Sequence, residues 1–201
     1  MYELSEGRLL LIAGEIIADG LAASMMSIAV RSCCDTLLHL AGDSIEPYGL
    51  LDALNRFLWR ETNPVGMSCV AVLFDPVHRR IEHATAGTMT LWHMQWRGEH
   101  AEVELCSEPG PLVGSGPQAD YLVQRRPVAP GDAFVMLSHR AARAVWDTLE
   151  PLPRFPDSRF DDGDEASANQ LCQRLARASA AAAADAPVIV VRVRGDGSAL
   201  P

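Results

Sequence analysis

The sequence predicts a mixed α/β fold of the α+β kind, with two stacked, mostly antiparallel sheets flanked by helices. Three observations carry this. Short β-like runs follow one another between residues 67 and 126, separated by turn dipeptides such as Asp75-Pro76 and Arg97-Gly98. Helical patterns come in pairs, two before these strands and two late in the chain. Strands and helices do not alternate one for one, which argues against a doubly wound parallel sheet. At 201 residues the chain fits a single domain, 1–201, able to bury roughly 70% of its unfolded surface.

Arg8–Ile17 is almost continuously apolar, the mark of a strand covered on both faces. Leu21–Leu40 reads as a helix with apolar residues on most sides, and so as a deeply packed one. Gly42-Asp43-Ser44 breaks it. Pro47 suits the first turn of a second helix, whose Leu50, Leu51, Leu54, Phe57 and Leu58 form one stripe. A turn at Asn63-Pro64-Val65-Gly66 leads into five strand-like runs: Met67–Phe74, Arg80–Ala86, Met89–Gln95, Ala101–Cys106 and Tyr121–Arg126. Glu108–Pro117, rich in Gly and Pro, reads as a surface loop. Pro130-Gly131-Asp132 opens the strand Ala133–Leu137, followed by a helix from about Arg140 to Leu149. Residues 151–164 read as a mobile insert. Asp164 suits a cap for the helix Glu165–Ala184, Pro187–Arg194 reads as the last strand, and residues 195–201 as a frayed tail.

A net charge of −9 without Lys or Arg clusters argues against nucleic acid as a partner. The longest basic groups, Arg79-Arg80 and Arg125-Arg126, read as solvated strand edges. The five cysteines (33, 34, 69, 106, 172) include no CxxC pair, and buried free thiols suit a reducing compartment. The N-terminus lacks the layout of a signal peptide, and no apolar run is expected to reach membrane-spanning length. The expected location is the cytoplasm, with no membrane partner.

The most informative stretch is Arg8–Cys34, a strand, a tight turn and an apolar helix that reads Gly14-Glu15-Ile16-Ile17-Ala18-Asp19-Gly20 and then Leu21-Ala22-Ala23-Ser24-Met25-Met26. It resembles the G-D-V-S-G-H-G-x-x-A-A-L-L-M segment of SpoIIE-type metal-dependent (PPM) serine/threonine protein phosphatases. Pro47 and Asn55 fit that family's P-x-x-x-L-x-x-L-N-x-x-L helix, and Asp75-Pro76 with Ala86-Gly87 fit its central hairpin. Pro111-Leu112-Val113-Gly114 resembles its G-x-P-L-G loop, and Pro130-Gly131-Asp132 its P-G-D turn. The resemblance implies an α-β-β-α sandwich. The family's early G-G-D-x-x-D strand pair has no counterpart between Met1 and Arg8, so the expected sandwich is missing its first strands here, either natively or because they are encoded upstream.

The positions that carry the family's chemistry differ. The resemblance puts Glu15 in place of a metal-binding aspartate and Asp19 in place of the loop histidine. Thr88 stands for the histidine after A-G, His139 for a second metal-binding aspartate with Arg140 for the glycine after it, and Ala184 for a third. Asp185 survives beside Ala184. The family uses two Mg²⁺ or Mn²⁺ ions to activate a water against phosphoserine. Mg²⁺ demands oxygen ligands in near-octahedral geometry, whereas a histidine nitrogen favours Zn²⁺, Fe²⁺ or Ni²⁺. The expected ligand remnants are therefore Glu15, the Ile16 carbonyl, His139 and Asp185, with no catalytic residue assigned.

Each has a plain alternative. Glu15 reads equally as a turn carboxylate. Glu15, Asp19 and His139 form either a remodelled transition-metal site or, separately, a helix cap at Asp19 and an ordinary hydrogen bond at His139. Ser138-His139 is not a nucleophile–base pair, since adjacent strand residues point apart. Histidines 39, 78, 83, 93 and 100 lack ligand spacing and read as surface or edge positions. Trp92 and Trp96 share one strand face and read as sheet packing.

Two functions follow from the resemblance. One is a catalytically impaired phosphatase-fold protein that needs no cofactor and binds a serine-phosphorylated regulatory protein of the anti-anti-sigma type in bacterial partner switching. The other is an active Mn²⁺- or Mg²⁺-dependent phosphoserine/phosphothreonine protein phosphatase with an altered metal site. The missing strands leave a sheet edge bare, which predicts a covering partner or self-association into a homo-oligomer.

Overall fold

The computed structural model describes residues 1–61, 66–97, 100–146, 172–173, 175–177, 179–180 and 188–193. In chain order these form β1 (Tyr2–Glu3), β2 (Leu9–Ile17), α1 (Gly20–Ala41), α2 (Pro47–Glu61), β3 (Gly66–Asp75), β4 (Arg80–Ala86), β5 (Thr90–Arg97), β6 (His100–Leu105), β7 (Val123–Pro127), β8 (Ala133–Leu137), α3 (His139–Trp146) and β9 (Val188–Arg192). The described residues among 172–180 are helical. The turn at 63–65, the Gly98 connection, the insert 151–164, Asp164, Asp185 and the tail 195–201 lie outside the described residues. All strand pairings are antiparallel, as the sequence predicts. The chain divides into two compact units, Met1–Met89 with Glu108–Pro127 and Thr90–Ser107 with Val128–Pro201.

The first unit holds a sheet of order β1-β2-β3-β4-β7. Leu10 of β2 and Met67, Cys69, Ala71 and Leu73 of β3 alternate onto one face and pack with Leu50, Leu51, Leu54 and Leu58 of α2. These four leucines are fully buried, so the stripe read from the sequence is the core face of α2. Between α1 and α2, Gly42–Ser44 is a 3-10 turn, and Gly42 takes φ +52°, which suits a residue without a Cβ.

Two expectations for this unit fail. Helix α1 is not deeply packed: only Val30 and Cys34 are buried, while Leu21, Met25 and Ile28 face solvent. Apolar composition on every side does not require burial on every side, since one helix face touching the core is enough to hold α1 in place. The same composition makes Gly20–Ser44 long and apolar enough to cross a membrane, correcting the expectation that no run is; by length and composition alone, a mostly buried core helix and an N-terminal signal sequence meet that measure too. Strand β2 is likewise not covered throughout, since Glu15 and Ile17 are exposed at its end.

The second unit holds a sheet of order β6-β5-β8-β9. Ala141, Ala142 and Val145 of α3 and Leu175 pack with Trp92, Met94, Val135 and Leu137. Trp92 is a core residue, as expected; the side chain of Trp96 lies outside the described residues. The Pro130-Gly131-Asp132 turn is tied to the end of β9, with the Gly131 N–H donating to the Val193 carbonyl (2.9 Å) and the Val193 N–H to the Asp132 carbonyl (2.9 Å).

The histidines correct the sequence reading most clearly. His93 is buried, stacked on Phe134 with ring centroids 4.4 Å apart, and its Nε2 lies 2.8 Å from Asp132 Oδ2. Asp132 also accepts the Ala129 N–H at 3.0 Å, so this acid locks a turn. His83 on β4 is buried too, and neither ring nitrogen has a hydrogen-bond partner.

Burial, helped by the positive charge of Arg126, pushes the His83 imidazole down to about 4. The folded value lies below the ordinary one of about 6.5, so unfolding takes up a proton between those values. This group's contribution is intact above pH 6.5 and is lost as pH falls toward 4, by roughly 3 kcal/mol in all. Replacing it by an apolar residue, His83→Leu, removes that loss. Urea unfolding at pH 7 and pH 4.5 should show the wild type losing about 2–3 kcal/mol more than the variant.

Candidate functional site

Of the residues that the sequence singled out, Glu15 and Ile16 lie at one end of the β2–β3 pair. The register sets Glu15 opposite Ser68 and Ile16 opposite Met67. Both carboxylates of this segment, Glu15 and Asp19, are exposed. Asp19 occupies the N-cap position of α1 in extended conformation, but its side chain makes no cap hydrogen bond. The capping expected of it is absent; only its carbonyl takes part, accepting the Ala23 N–H at 3.5 Å.

Ser68 organises the neighbouring strand end. Its hydroxyl donates to the Ala86 carbonyl (3.3 Å) and accepts the Thr88 N–H (2.9 Å). Gly87 stands between them at φ +67°, and a Cβ there would meet Leu112 and Ser68 at 2.6–2.7 Å, so only glycine fits. The Gly87 N–H donates to the Pro111 carbonyl (3.0 Å), the Gly110 N–H to the Gly87 carbonyl (3.1 Å), and Met67 and Val113 exchange two bonds of 2.9 Å. The 110–114 loop is thus pinned against β3 and the end of β4.

A second clamp comes from α2. Asn55 is fully buried; its Nδ2 donates to the Gly116 carbonyl (3.1 Å) and its Oδ1 accepts the Gly114 N–H (2.7 Å). The sequence marked Asn55 only as a motif match. The signal for its role was present, since an amide inside a leucine stripe must find partners in the interior.

In the second unit, Ser138 begins α3. Its hydroxyl accepts the Ala141 N–H (3.2 Å) and its carbonyl the Ala142 N–H (2.8 Å). Ser138 is therefore a buried helix cap and no nucleophile. His139, the next residue, is exposed at the start of α3. Asp185 lies outside the described residues.

Among the described residues no three His, Cys, Asp or Glu side chains come together in a way that could hold a metal ion. Glu15 offers one exposed carboxylate beside the Ile16 carbonyl, far short of the six oxygens that Mg²⁺ requires.

Comparison with known proteins gives a consistent result. The sequence model of the Stage II sporulation protein E (SpoIIE) family matches residues 5–194. No curated protein sequence matches the chain. Among solved structures, the SiaA-PP2C domain of Pseudomonas aeruginosa is similar with a TM-score of 0.65 at 15% identity, over 96% of this chain and 84% of that one. The RsbU and RsbW domains of a Mycobacterium tuberculosis protein give 0.66 at 16% identity, over 94% of this chain and 54% of that one. The catalytic domain of the serine/threonine phosphatase PstP in complex with two manganese ions gives 0.60 at 13% identity, over 96% and 94%. At these identities the likeness is one of fold.

The Asn55 clamp generates a test. Asn55→Ala leaves the Gly114 N–H without its buried acceptor, at a cost of about 2 kcal/mol. Denaturant unfolding is expected to show that loss, and limited proteolysis should show faster cutting within residues 108–117.

Proposed function

Because the chain belongs to the SpoIIE family, we propose that it is a PPM-phosphatase-fold protein, impaired in catalysis, that works by binding another protein. The observation that carries this is the replacement of acids at the family's ligand positions, Glu15, His139 and Ala184, in a chain whose scaffold motifs are kept. Two close dications need several carboxylates to offset their charge. Lengthening one ligand, exchanging another carboxylate for an imidazole and deleting a third removes that compensation. The fold match to RsbU and RsbW domains supports a role in partner switching, with a serine-phosphorylated protein of the anti-anti-sigma type as the bound partner. The free thiols, among them buried Cys34, Cys69 and Cys106, support a cytoplasmic location.

A second reading is an active manganese- or magnesium-dependent phosphatase. It is favoured by the two manganese ions in the PstP structure of the same fold, and by Glu15 and Asp185, which would hold a metal together with the Ile16 carbonyl and His139.

Incubating the purified chain with a serine-phosphorylated anti-anti-sigma-type protein at millimolar Mn²⁺ separates the two. The first reading expects a complex on size-exclusion chromatography and phosphate release no faster than in a protein-free control. Steady turnover would overturn it in favour of the second.

A further inference from the structure

We propose that a second copy of this chain adds to the free edge of β2, giving a two-fold dimer with one continuous sheet and the two α1 helices side by side. On the outer side of β2, β1 pairs only with Leu9 and Leu10. Among the described residues no strand pairs with 11–17 on that side. The edge has none of the devices that keep sheet edges from pairing: residues 9–17 contain no proline, no Lys or Arg, and a single Glu.

The edge complements itself. Antiparallel pairing about Gly14 sets Leu11 of each copy opposite Ile17 of the other, and Ala13 opposite Glu15. Helix α1 follows β2 after two residues and runs back along it, since near its far end Asp35 accepts a hydrogen bond from Tyr2 of β1 at 2.7 Å. Gly14 lies about 10 Å from the end of β2. The same length of helix is about seven residues from Gly20, which brings the two-fold axis to Ser27 and Ile28.

Ile28 is 69% exposed, flanked by Leu21 at 76% and Met25 at 61%. The exposed Ser24 and Ser27 beside them already donate their hydroxyls to the Gly20 and Ala23 carbonyls, so covering them strands no donor.

Charge and area agree. A chain of net charge −9 repels its own copies, yet no charged residue occurs between Asp19 and Arg31. A seven-residue strand edge about 23 Å long, with a helix beside it, covers on the order of the ~800 Å² that a standard interface takes from each partner. A lipid surface would accept the side chains of α1 but leave the N–H and C=O groups of the edge unpaired.

Light scattering on the full chain at about 100 μM tests this, with a dimer expected at twice the 21.8 kDa of one chain. Ile28→Lys and Ile28→Glu, both at an exposed position, should keep the helical circular dichroism and each weaken the dimer about 100-fold. Mixed in equal amounts they should restore it, because residue 28 meets its own copy only across a two-fold axis. Those alternate backbone amides of 11–17 that point away from β3 should exchange slowly in the dimer and fast in either variant alone. A monomeric wild type, a dimer untouched by both variants, or a mixture that stays monomeric would each overturn the proposal.

Discussion

The nine-residue antiparallel pairing of β2 with β3, from Leu9 opposite Phe74 to Ile17 opposite Gly66, fixes most of what matters in the first unit. Side chains alternate across a strand, so this register decides which residues meet the helices. It sends Leu10, Met67, Cys69, Ala71 and Leu73 to the leucines of α2. A slip by one residue would turn that whole set away from them. The same register sets Glu15 beside Ser68, and so places the remnant acid next to the hydroxyl that holds Ala86 and Thr88. At Gly14 the strands tolerate only glycine, because a Cβ would collide with Met67 and Cys69.

The residues that build the scaffold are separate from the positions where the family resemblance expects the chemistry. The scaffold needs apolar volume, Gly87 at positive φ, Asn55 with both amide groups satisfied, and Ser68 as a hydrogen-bonding hub. None of these depends on a metal ion. Glu15 near the end of β2 and His139 at the start of α3 are both exposed, so exchanging either side chain leaves the core untouched. Asp132 shows the converse case. It is buried, paired with His93 and fixed to the Ala129 N–H, so its conformational task keeps it in place.

Much of this was legible in the sequence. The stripe on α2, the hairpin at Asp75-Pro76 and the Pro130-Gly131-Asp132 turn follow from periodicity and turn chemistry, which act locally. What failed depends on distant neighbours. Periodicity cannot say how many sides of α1 are covered, so apolar composition on all sides does not distinguish a deep helix from a half-exposed one. His83 and His93 lack ligand spacing, but spacing says nothing about burial. Their places on β4 and β5, flanked by Ile81 and Leu91 two residues earlier, carried that signal and deserved more weight. The two-residue strand β1 is too short for any periodic pattern to reveal.

If Glu15, His139 and Ala184 cost this fold its metal site, restoring aspartate at those positions should restore metal binding on the same scaffold. The most direct test is a calorimetric Mn²⁺ titration of the wild type beside a variant carrying Glu15→Asp, His139→Asp and Ala184→Asp. The account predicts no saturable binding in the wild type at millimolar Mn²⁺ and measurable binding in the variant, with unchanged unfolding behaviour. Tight binding of Mn²⁺ by the wild type would contradict it.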